Sequence, residues 1–319
     1  STIYAGFVNG TYKFGDFEVT GGLRYNKDVK SYVGGVNGFP IVTPGMVRRT
    51  WNSLTPRVVL SYHPNRDLLF YASYTAGFKS GAYNTTAFAL VPIDPEKVKA
   101  YEVGLKISPT PGVTVNSALF WYDRTNEQVQ AQDPVSGLQN LENAAKSRSK
   151  GAEIEITARP LPGLSLQAGA SYLDARYLSF PEAIVYTPTP VGPGMIPGSL
   201  GNTATSTDIS GERTERSPKW NFTLAGSYKI ELANGGSIVP SGNIYHTSSY
   251  VFGAGGRLRQ PGFTLINAEL AWNLSNGVTL AAWGRNLTNK TYYINFKSNA
   301  FSDSGTANEP RTYGVRASY

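Results

Sequence analysis

The chain has 319 residues, a formal net charge of +7 and no cysteine, which excludes thiol chemistry, a disulfide framework and thiolate metal sites. Charged residues make up only 16% of it although mean hydropathy is −0.26, so its polarity lies in uncharged Ser, Thr, Asn, Gly and Tyr. No run of about 18 predominantly apolar residues occurs, which excludes a helical membrane span, and the basic residues are scattered, which argues against nucleic acid as a partner.

Taken in chain order, the sequence reads as strands of period two. A first strand over 2–14 leads through Gly15-Asp16 into a second, where Phe17, Val19, Gly21, Leu23 and Tyr25 alternate with Glu18, Thr20, Gly22, Arg24 and Asn26. Tyr101, Val103, Leu105 and Ile107 alternate in the same way with Glu102, Gly104, Lys106 and Ser108. So do the apolar members of 164–172 and 220–231, and finally Tyr313, Val315, Ala317 and Tyr319. This spacing puts each apolar set on one face of a strand. The separation is less clean in 113–122 and 278–283, where both faces carry bulky groups. Tight Gly/Pro/Asn/Asp turns at 15–16, 63–66, 109–112, 159–163, 233–236 and 275–277 alternate with long connections at 33–47, 79–95, 131–138, 179–217, 251–260 and 297–308. Strict alternation of short and long is the pattern of a membrane barrel, with short turns in one compartment and long loops in the other.

The expected fold is therefore all-β, a transmembrane antiparallel β-barrel, with about thirteen strands. Bacterial single-chain barrels have an even number. The last strand ends on the short-turn side and the first begins on the long-loop side, and an open edge in lipid leaves backbone groups unsatisfied. Strands N-terminal to this chain are thus expected to be missing from it. No signal peptide is visible at Ser1, and one composition regime runs through 1–319, so the chain is expected to be one partial barrel domain.

Five segments carry a family resemblance: YTAGFKSGAYN at 74–84, DPEKVKAYEVGLK at 94–106, NAAKSRSKGAEIE at 143–155, GRNLTNKTYY at 284–293 and EPRTYGVRASY at 309–319. In this order they resemble the C-terminal half of the barrel of TonB-dependent outer-membrane receptors. The resemblance implies a barrel of about 22 strands with a plugged lumen, of which this chain would supply the C-terminal thirteen or so, with the N-terminal plug and first strands absent. It also implies a bacterial outer-membrane location and energy-coupled import of a scarce large solute, foremost a ferric siderophore. The partners implied are the TonB complex, reached through the missing plug, and the outer-membrane assembly machinery. A passive porin-type diffusion channel is the alternative.

Within that frame, Glu102, Lys106, Glu153, Glu155, Arg285 and Arg316 are expected to face the lumen or lie near an interface, since lipid exposure of charge is costly. Lys79, Arg213, Arg216, Arg257 and Arg259 sit in or beside long loops and are candidates to bind an anionic metal chelate or the phosphates of lipopolysaccharide. Tyr83 is a further ligand-binding candidate, and Phe88, Tyr186, Tyr250, Phe252 and Phe301 could complete an aromatic loop pocket. Tyr319, a C-terminal aromatic on an alternating strand, resembles an assembly signal. His63 and His246 are far apart in sequence and suggest no metal site. No nucleophile or acid/base constellation is evident, so neither enzymatic activity nor a cofactor is expected.

Overall fold

The computed structural model describes all residues except 34, 37–38, 41–46, 85–88, 133–138, 195 and 197–199. Thirteen strands form one antiparallel path: β1 (Thr2–Phe14), β2 (Phe17–Tyr32), β3 (Val47–Asn65), β4 (Leu68–Lys79), β5 (Glu96–Thr110), β6 (Val113–Gln132), β7 (Gln139–Ala158), β8 (Leu164–Ser179), β9 (Trp220–Tyr228), β10 (Ser237–Thr247), β11 (Phe263–Asn273), β12 (Thr279–Arg285) and β13 (Thr312–Ser318). Each pairs with its neighbours in chain order, as the alternation of turns and loops requires. Short turns such as those at Gly112 and Gly277 close with φ of 81° and 89°, a left-handed conformation that glycine adopts without a Cβ penalty. Among the described residues β1 and β13 pair on one side only.

Alternation sorts the side chains onto two faces. Tyr25, Leu54, Leu60, Phe70, Val103, Leu119, Ile154, Trp220, Leu224, Ile244, Leu270 and Val315 stay exposed on one face, a burial pattern that is unfavourable in water and suited to lipid. The register places Glu102, Lys106, Glu153, Glu155, Arg285 and Arg316 on the other face. There Glu102 accepts hydrogen bonds from Tyr71 (2.7 Å) and Tyr122 (3.3 Å), and Arg316 pairs with Glu269 at 2.9 Å.

The two segments with bulky groups on both faces resolve the same way. Phe120 and Tyr122 point to the polar face and stack at 5.1 Å, while Leu119 and Trp121 face outward. Phe120 fits because its partner is Gly151, where a Cβ would come within 2.7 Å of the ring. Trp283 turns inward over Gly314 and carries the Arg285 guanidinium 5.5 Å from its ring.

Some boundaries differ from expectation: β3 runs on to Asn65, into the turn expected at 63–66, and the strand expected over 220–231 breaks after Tyr228. The last long connection begins at Asn286, not near residue 297, because Asn286 and Asn289 adopt φ of 48° and 50° and end β12. The buried Asn286 side chain bonds both the amide and the carbonyl of Lys290 (2.8 and 2.9 Å), and Asn289 accepts from the amide of Arg311 (2.9 Å). The Asn-Leu-Thr-Asn-Lys motif is thus a turn that ties the two roots of the final loop together.

Candidate functional site

At the long-loop end, five of the long connections carry short hairpins of their own among the described residues, and three of these come together. Ala183–Pro188 pairs with Asn202–Thr207, Tyr250–Val251 with Arg259–Gln260, and Tyr293–Ser298 with Asp303–Ala307. The first is seated on a small buried cluster of Ala145, Tyr177, Phe180, Ala183 and Ile209. Between the hairpins and the ends of β6 and β8 lies an open cavity of about 660 Å³, of the size of small-molecule sites. Tyr186, Phe252, Phe296, Arg124, Glu127 and Lys297 contribute to its wall. Phe252 meets Tyr250 edge-on at 5.2 Å and Phe296 at 6.1 Å, and Phe296 stacks on Tyr293 at 4.8 Å, so the aromatic side is rigidly held. Burial raises the Tyr186 and Tyr250 phenols above their ordinary pKa.

Arg257 lies in this wall, but its guanidinium is engaged. It donates to the Tyr186 carbonyl (3.0 Å), to Ser298 Oγ (2.9 Å) and, through both terminal nitrogens, to Asp303 (2.5 and 2.8 Å). One side chain therefore joins all three hairpins. Its hydrogen bonds hold the Asp303 carboxyl down at about 2, with Ser298 and Asn202 adding to the effect, and Asp303 in turn raises the Arg257 pKa. Asn202 reinforces the joint, donating to Asp303 Oδ1 (3.1 Å) and to the Asn299 carbonyl (2.8 Å). Arg216 borders the cavity, with its guanidinium 5.4 Å from the Phe252 ring and a hydrogen bond to Asn295 at 2.7 Å. The remaining wall charges, Arg124 and Lys297 against Glu127 and Glu215, balance in sign.

The other candidates fall elsewhere. Tyr83 stacks on Tyr32 at 5.5 Å and meets Trp51 edge-on at 6.1 Å, in a second cluster over β2 and β3 where Lys30 and Arg49 also approach the Trp51 ring. Lys79 ends β4 opposite Glu96 and is exposed. Arg213 and Arg259 do not line the cavity. Phe301 is 84% exposed at the tip of the last hairpin, and Phe88 lies outside the described residues. Tyr319 is fully exposed beyond β13. His63 lies within the last residues of β3, not in the turn as expected, its amide donating to the Asp16 carbonyl at 2.8 Å, and His246 bonds Thr264 at 2.9 Å. Sequence reasoning missed Phe180, Phe296 and Lys297. Their only signal was proximity to loop ends, and their convergence depends on how three separate loops dock.

Comparison with known proteins matches residues 1–287 to the family model for the TonB dependent receptor-like β-barrel. The chain is 23% identical over 304 residues to the pesticin receptor of Yersinia enterocolitica, covering 94% of this chain and 41% of that protein. It is 32% identical over 123 residues to the ferric-pyoverdine 358 receptor of Pseudomonas putida, covering 37% of this chain and 15% of that protein. Among solved structures, the ferric yersiniabactin uptake receptor of Yersinia pestis superposes with a TM-score of 0.78 at 20% identity, over 99% of this chain and 45% of that one. The siderophore receptor PiuA of Acinetobacter baumannii does so with a TM-score of 0.75 at 17% identity, over 99% and 42%. The chain thus spans less than half the length of these relatives.

Proposed function

The chain belongs to the TonB-dependent receptor-like β-barrel family, and from that premise we propose that it forms the C-terminal wall and loop cap of a bacterial outer-membrane receptor that imports a ferric siderophore, coupled through TonB to the proton-motive force. The observation that carries the reading is the aromatic loop cavity of about 660 Å³ at the long-loop end. Its charge balance sharpens the ligand class. Arg257 is consumed by Asp303, and the free cations are matched by carboxylates, so the cavity suits a chelate of low net charge gripped by aromatic faces more than a strongly anionic one. The names of its relatives, which include receptors for ferric pyoverdines and ferric yersiniabactin, support iron chelates as the class. In this proposal the plug and the TonB contact lie outside the chain, no enzymatic step is involved, and Tyr319 serves recognition by the assembly machinery.

The test is accumulation of radiolabelled iron by iron-limited cells supplied with ferric chelates of graded charge, with and without a protonophore. Uptake of an aryl-bearing, near-neutral chelate that the protonophore abolishes and that Phe252→Ala weakens by about tenfold is expected. Uptake unaffected by the protonophore would instead make the barrel a passive diffusion channel, and absence of any chelate uptake would remove iron as the cargo.

A further inference from the structure

Register and period two fix which side chains reach the lumen, and one part of the wall differs from the rest. The inward positions of β5 and β7 include Glu102, Glu153 and Glu155, and none of the three joins an ion pair among the described residues. Those of β2 and β3 include Arg24, Asp28 and Arg57, and those of β11 to β13 include Glu269, Arg285 and Arg316. Among the described residues β8, β9 and β10 alone place no charge on the inward face. Hydroxyls, amides and small groups stand there instead, among them Gln167, Asn221, Thr223, Ser241, Asn243 and Tyr245.

This neutral strip needs no partner to satisfy it. Tyr245 donates to Asn221 Oδ1 at 3.2 Å, Asn221 donates on to Ser171 Oγ at 3.4 Å, and Asn267 of β11 donates to Asn243 Oδ1 at 3.2 Å. Its polar groups thus bond one another across neighbouring strands. A body filling the lumen is held there by neutral contacts only. The carboxylates of β5 and β7 ask for cations, and charge-assisted hydrogen bonds are roughly twice as strong as neutral ones. Under a pull, such a body parts first from the neutral strip.

The strip also joins the loop cavity to a second pocket. At its upper end Tyr177 of β8 belongs to the wall of the loop cavity. At its foot, in the half nearer the short turns, a pocket of about 430 Å³ is lined by Gln167, Ser241, Asn243 and Asn267 and bounded by Trp283. We propose that the passage through the lumen opens along β8 to β10, and that the pocket at its foot is a resting site for a solute of low net charge that carries hydroxyl and amide groups. This rests on the import reading above and adds where in the wall the route lies. Successive hydroxyls and amides offer a solute many weak contacts and no charge to trap it, the condition for passage instead of retention. The route matches the loop cavity, which suits a chelate of the same low charge.

The experiment uses the intact receptor in iron-limited cells and single cysteines, since residues 1–319 contain none. Thr223→Cys on the strip is compared with Asn116→Cys, which the register Asn116–Glu155–Gly169–Thr223 sets at the same depth on the charged side. Cells are given ferric tris(benzohydroxamate), a neutral aryl chelate, with a polyethylene-glycol maleimide outside that is too large for general porins. Iron uptake and the labelling rate of each cysteine are read together, with and without a protonophore. Thr223→Cys is expected to be labelled at least about tenfold faster during uptake than after the protonophore, as a minor open state becomes populated. Asn116→Cys should stay protected in both. Equal labelling of the two cysteines overturns the proposal, and so does a protected Thr223→Cys in cells that import the chelate. Absence of iron uptake removes the import reading together with this one, and is thereby told apart from failure of the strip alone. Heat-modifiable migration reports folding. If Thr223→Cys fails that check, Asn243→Cys in the pocket at the foot replaces it, and the same outcomes decide.

Discussion

Asp303 and Arg257 show how one residue pair sets the behaviour of a loop cap. Separately each is a loop charge that water would solvate. Together they close a bidentate contact joining hairpins that are far apart in the chain, at a carboxyl held near 2 instead of its usual 3.8. A depressed carboxyl pKa contributes stability that is complete above the ordinary carboxylate value and is lost as pH falls through the folded one. The joint is therefore expected to hold unchanged from neutral pH down to about 4 and to open between about pH 4 and 2. Amide exchange over 183–207 and 293–307 measures this, and a cap that loosens already between pH 7 and 5 would contradict it. In Asp303→Asn the acid step disappears, and exchange in these hairpins rises at neutral pH by about fivefold, corresponding to about 1 kcal/mol. The sequence made Arg257 visible as a loop arginine with a bidentate fork. It could not show that Asp303 would occupy that fork, because the pairing depends on the docking of loops separated by 46 residues. For the same reason Arg213 and Arg259, grouped with Arg257 by loop position alone, prove not to line the cavity.

Strands were more legible than loops because their signal is local. Period two fixes the face of every residue once one is placed, so the lumen-facing charges and the outward apolar belt followed from 17–26, 101–108 and 220–231 without any long-range information. Where both faces were bulky, the deciding residue was on the neighbouring strand. Phe120 points inward because Gly151 opposite it leaves room, a fact that the sequence of β6 does not contain. This gives the motif glycine of β7 a physical role. A methyl group at Gly151 would lie 2.1 Å from the Tyr172 carbonyl oxygen as well as against Phe120, and backbone cannot yield as a side-chain tip can. Gly151→Ala is expected to destabilise the barrel by about 1 to 3 kcal/mol, read as a lower temperature for loss of heat-modifiable migration. The double change with Phe120→Leu should recover only the part due to the ring, since the carbonyl contact remains. Full recovery would place the whole cost in the ring.

At the scale of the molecule, the thirteen-strand path is consistent in every pairing yet ends on two edges. β1 is exposed along its whole length, and β13 shows Tyr313 and Val315 at 79% and 87% exposure. In a bilayer each unpaired N–H and C=O costs free energy that water is not there to offset, so a spanning sheet must close on itself. Among the described residues β1 pairs only with β2 and β13 only with β12. If closure by additional strands is what stabilises β1, residues 1–319 refolded alone in detergent should expose two sticky edges. They should form heat-sensitive, polydisperse assemblies, with rapid amide exchange throughout 2–14 and 312–318. The intact receptor should migrate as one heat-modifiable species with those amides protected to the same degree as β6 and β7. A monodisperse, heat-modifiable barrel from residues 1–319 alone would mean that β1 and β13 pair with each other, and the wall would then close at thirteen strands.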